Sequence, residues 1–88
     1  NFFQMEDHKR IEETIRNKVT CDWIITYDDA PEIEKIYSAY SVRLYDLNYS
    51  VSKKCKASEL MIFKTGIPVP SNHTLISAGI NIDLRKLN

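Results

Sequence analysis

The chain has 88 residues, 43% hydrophobic and 27% charged, and its 12 basic and 12 acidic side chains cancel. That length allows one small domain, and the composition is globular rather than disordered. No apolar run approaches the roughly 20 residues that span a bilayer, and "NFFQMEDHKR" lacks the apolar segment of a secretory leader, so no membrane partner and a cytoplasmic location are expected.

The chain opens without Met and in mid-pattern, which reads as a cut rather than a natural beginning. A first helix is expected from Asp7, whose carboxylate suits an N-cap. His8, Ile11, Ile15 and Val19 recur at spacings of three and four and form its apolar stripe. "DWIITY" (residues 22–27) is short, β-branched and aromatic, as expected of a strand buried on both faces. "DDAPE" then opens a second helix: Asp28 or Asp29 caps it, Pro31 lies in its first turn, and Glu32 follows Asp29 by three. Ile33, Ile36, Tyr37 and Tyr40 make its buried stripe.

"VRLYDLNYSV" (residues 42–51) alternates as a strand, and its late polar residues point to an edge or a rim. "SKKCKAS" is a loop, and "ELMIFK" (residues 59–64) is a strand apolar on both sides, hence central and antiparallel to the strand before it. "GIPVPSNH" reads as an extended connector, and the residues after it as a last strand or a strapping tail. The organisation expected is therefore α-β-α-β-β over residues 1–65, with an extended tail over 66–88. A helical crossover makes the first two strands parallel. The third returns antiparallel and inserts between them.

Charge is uneven along this order. Residues 1–34 carry nine acids and four bases, whereas residues 35–88 carry eight bases and three acids. Lys53, Lys54 and Lys56 crowd one loop, where they suit either a phosphate backbone or a solvated surface. Cys21 and Cys55 have no metal-ligand spacing with each other or with His8 and His73, and two lone thiols point to a reducing compartment.

Two absences narrow the chemistry. The only glycines are Gly66 and Gly79, so no glycine-rich phosphate loop exists, and the three prolines are isolated. What remains is the carboxyl end of the first strand, Tyr27-Asp28-Asp29, the position where ligands meet open α/β sheets. Helix capping accounts for the same acids. Tyr49, beside Ser50 and Ser52 and just before the lysines, is placed either to stack on an extruded base or to pack.

The order "DHKRI", "WIITYDD" with "PEIEKIY", "LNYSVS" and "SELMIF" resembles the C-terminal half of the Dam-like adenine-N6 DNA methyltransferases. In that family a Ser-Tyr-Asn-Asp-like strand end, a helix ending in Leu-Tyr, a tyrosine-serine strand and a Glu-Leu-Leu-Ile strand close the sheet. Here these match Thr26-Tyr27-Asp28-Asp29, Ile36-Tyr37, Asn48-Tyr49-Ser50 and Glu59-Leu60-Met61-Ile62.

The resemblance implies the C-terminal half of a three-layer, Rossmann-like methyltransferase sheet. It also implies a parent enzyme that moves a methyl group from S-adenosylmethionine to a flipped adenine in DNA. The family's cofactor loop, its Asp-Pro-Pro-Tyr segment and its DNA-reading insertion are absent, so no catalytic residue and no cofactor are expected in this chain, which alone would be inactive.

By the same resemblance, Tyr27 and Asp28 line the strand-end rim beside the base. Tyr49, Ser50, Ser52, Lys53, Lys54 and Lys56 meet the flipped nucleotide or its phosphates. The partners expected are DNA, the missing N-terminal half of the sheet, and a second copy of the chain at the open sheet edge. The competing reading is a small stand-alone α/β module for nucleic-acid binding or interaction.

Overall fold

The computed structural model describes residues 4–48 and 56–87. In chain order they form α1 (Met5–Lys18), β1 (Ile24–Asp28), α2 (Pro31–Ile36), β2 (Ser41–Asn48), β3 (Lys56–Phe63), α3 (Asn72–Ser77) and β4 (Arg85–Lys86). The result is a mixed α/β domain around an open four-stranded sheet ordered β1-β3-β2-β4.

Every ladder in that sheet is antiparallel. Because β1 and β2 both oppose β3, they run parallel to each other, joined through α2, with β3 reversed between them. The reversed insertion matches the sequence expectation. The parallel sheet and three layers of a Rossmann-like fold are not what this domain shows.

The register assigns the faces. Ile25, Ile62 and Val42 lie in one row across β1, β3 and β2, and Tyr27, Leu60 and Leu44 lie in another. Ile33 and Tyr37 of the α2 segment close over these rows, and with Val42, Leu60 and Ile62 they form the buried core. Such burial is worth about 1.5–3 kcal/mol per large side chain. α1 joins the same side through His8, whose ring meets Tyr27 edge-on at 5.8 Å.

The opposite face is covered unevenly. Phe63 and Tyr45 are buried there, but the β1 positions of that face, Ile24, Thr26 and Asp28, are exposed. β1 was expected to be buried on both sides. Instead Ile25 and Tyr27 are half-buried on one side and the other side is exposed, as suits a strand that among the described residues pairs only with β3 and stands at the margin of the sheet. β2 is likewise not a bare edge, since β4 pairs with it at Arg43 and Leu44.

The helix ends also differ from expectation. α1 begins at Met5, with Gln4 as N-cap. Asp7 stands at the third helical position, where its Oδ2 accepts from the Gln4 backbone amide at 2.9 Å. Its role is reciprocal capping from inside the first turn. α2 is capped by Ala30 rather than by Asp28 or Asp29, because Asp29 continues the sheet by donating its amide to the Ser58 carbonyl at 3.2 Å. Pro31 does occupy the first helical turn.

The expected extended tail contains α3. Ser71 caps it by accepting from the Thr74 amide at 3.1 Å. Gly79 ends it at φ +82°, which lets Ile80 and Gly79 donate to Leu75 and Ile76 in a Schellman closure. Asn72 then binds the returning chain, accepting from the Leu84 amide at 2.9 Å and donating to Asp83 at 2.7 Å. That clasp delivers Arg85–Lys86 to the margin of β2.

Candidate functional site

β1 ends at Tyr27 and Asp28, and the β2–β3 hairpin extends past that point. Asp28 lies beside Glu59, which in turn pairs with Tyr45. Three further residue pairs, ending with Asn48 and Lys56, carry the hairpin roughly 10 Å beyond the end of β1. The topology therefore brings the strand-end rim and the hairpin tip to one end of the sheet, although they are some twenty residues apart in sequence.

Tyr27 is held by packing. Its hydroxyl is 3.3 Å from that of Tyr37, and the two rings are 5.6 Å apart. Burial first, and then the Tyr27 contact, push the Tyr37 hydroxyl far above the ordinary phenol range, so it remains a neutral donor and acceptor. Asp28 is exposed. Beside it, the Asp29 carboxyl raises Glu34, so this corner collects negative charge.

Glu59 is fixed by the Tyr45 hydroxyl at 2.6 Å, and Asp46 by Ser58 at 3.0 Å and Arg85 at 3.2 Å. The described part of the rim is thus acidic. Of the residues expected to meet DNA, Tyr49, Ser50, Ser52, Lys53 and Lys54 lie outside the described residues. Lys56 begins β3 in register with Asn48.

A second cluster sits at the opposite end of the sheet. Trp23 meets Tyr40 edge-on at 5.4 Å, and Tyr40 donates to Glu12 at 2.7 Å. Arg16 holds the same carboxylate at 3.0 Å. The Arg16 bond, opposed by burial and aided by Tyr40, keeps Glu12 below the usual carboxylate range. These groups line a cavity of about 420 Å³, with Ile15, Val19 and Ile36 as its apolar wall. The helical stripe revealed Ile15, Val19 and Ile36, whereas no local signal linked Glu12 to Tyr40.

Among the described residues, no group of three metal-ligating side chains occurs, and no helix is long and apolar enough to cross a membrane. Cys21 is an exposed free thiol. No protein-family model matches the chain, and no curated protein or solved structure matches it.

Proposed function

We propose that this chain is the closing part of the catalytic sheet of a Dam-like adenine-N6 DNA methyltransferase. The observation that carries the reading is β3, which runs in reverse between two strands that are parallel to each other and joined through a helix. Support also comes from β1, whose outer margin is unpaired among the described residues and free to accept a further strand.

On this reading Tyr27 and Asp28 border the base pocket, and the residues from Tyr49 to Lys56 meet the extruded nucleotide and its phosphates. Tyr27 acts by position, since its hydroxyl and ring are already engaged with Tyr37 and His8. The parent enzyme would draw its methyl group from S-adenosylmethionine. The residues of this chain do not fit that cofactor: its only glycines, Gly66 and Gly79, both follow β3, and none lies in the turn between β1 and α2 where a phosphate-type cradle would stand. No transfer step is assigned to groups in this chain.

The test is to express the complete reading frame that encodes the chain and incubate the product with DNA and S-adenosylmethionine carrying a labelled methyl group. N6-methyladenine is then measured by mass spectrometry. Label on adenine supports the reading. A folded product that binds DNA but transfers no methyl group would favour the stand-alone binding module instead.

A further inference from the structure

A groove of about 640 Å³ runs between α2 and the β2–β4 margin, at the end of β2 remote from the hairpin tip. Its lining includes Lys35, Arg43 and Lys86 together with the hydroxyl-bearing Ser38 and Ser41. Glu34 is the one acid in this lining.

What sets the three cations apart is their convergence on one groove, since Lys9 and Lys18 of α1 also lack a carboxylate partner. Arg10, Arg16, Lys64 and Arg85 each have a carboxylate within 4 Å. Among the described residues Lys35, Arg43 and Lys86 have none, and Arg43 is engaged only with the Val42 carbonyl at 3.1 Å. Arg43 and Lys86 are direct partners across the β2–β4 ladder. Like charges opposed in this way destabilise a sheet unless an anion lies between them. A planar guanidinium, two ammonium groups and two hydroxyls in a groove of this size suit a multiply charged oxyanion better than a single carboxylate.

We infer that this groove binds a phosphate group, carried by a small phosphorylated ligand or by a nucleic-acid backbone. The site is separate from the strand-end rim and does not rest on the methyltransferase reading.

The experiment is an amide chemical-shift titration of the protein with inorganic pyrophosphate in one arm and a short DNA duplex in the other. Shifts centred on Ser38, Ser41, Arg43 and Lys86 are expected. The double variant Arg43→Gln/Lys86→Gln should bind about tenfold more weakly, for the loss of two charge-assisted contacts. Lys9→Gln on α1 should leave affinity unchanged. Arg43→Lys, which keeps the charge, should retain most of the binding and guards against a folding defect in the double variant.

Response to pyrophosphate identifies a small phosphorylated ligand, and response to the duplex alone identifies a backbone phosphate. Either result supports the site. Absence of groove shifts in both arms, or equal binding by a folded double variant, overturns it.

Discussion

The Tyr40 hydroxyl donates to Glu12 at 2.7 Å, across 28 positions of the chain, and ties α1 to the segment between α2 and β2. α1 contains no fully buried residue, so this bond and the His8–Tyr27 ring contact matter more to its docking than its apolar stripe alone suggests. Tyr40→Phe should lower stability by about 1–2 kcal/mol. Thermal unfolding of Tyr40→Phe, Glu12→Gln and the double variant would show non-additive losses if the pair acts together. Simple additivity would mean that the two side chains contribute separately.

The same pair makes stability depend on pH at both extremes. Glu12 is held low mainly by Arg16, so its contribution is present above the ordinary carboxylate range and is lost as pH falls through its depressed folded value. Tyr40 is raised, first by burial and then by its bond to Glu12. Its contribution is therefore present below the ordinary phenol range and is lost as pH rises through the folded value. Urea midpoints measured across pH should fall on both flanks, and Tyr40→Phe should flatten the alkaline one.

The two faces of the sheet should respond differently to substitution. Leu60 is fully buried between β1 and β2, and Leu60→Ala should cost about 2–5 kcal/mol, a large share of the stability of a domain this small. Ile24 is 53% exposed on the other face of β1, and Ile24→Thr should stay within about 0.5 kcal/mol. Chemical denaturation of both variants decides the point. A large loss at Ile24 would show that the outer face of β1 is covered in solution.

Asn72 makes three hydrogen bonds to the returning chain, two with the backbone of Leu84 and one with Asp83. Asn72→Ala should release β4 locally while leaving the core folded. The amides of Leu84 and Arg85 should exchange faster by the equivalent of about 1–3 kcal/mol of lost protection, with Ile62 unaffected. Uniform acceleration across the sheet would instead make the tail part of the global folding unit.

Much of the architecture was legible in the residues themselves. Alternation marked β2, and the two-sided apolar run of "ELMIF" marked β3 as central. The helical spacing of Ile33, Ile36, Tyr37 and Tyr40 marked the cover of the core. Because side-chain direction repeats every two residues in a strand and every 3.6 in a helix, these periods survive in the sequence without reference to a partner. α3 was not legible: two prolines and the weak alternation after them suggest an extended segment, whereas Ser71 and Gly79 bound a short helix there.

The sequence by itself determined where the strands and main helices lie, and that the third strand must sit among apolar neighbours. Only the tertiary structure decided that β1 is bare on one side, that Glu12 meets Tyr40, and that Arg43 faces Lys86. Local periodicity records which side of an element is apolar. It does not record which distant segment arrives to cover it, and that depends on chain connections closing over tens of residues.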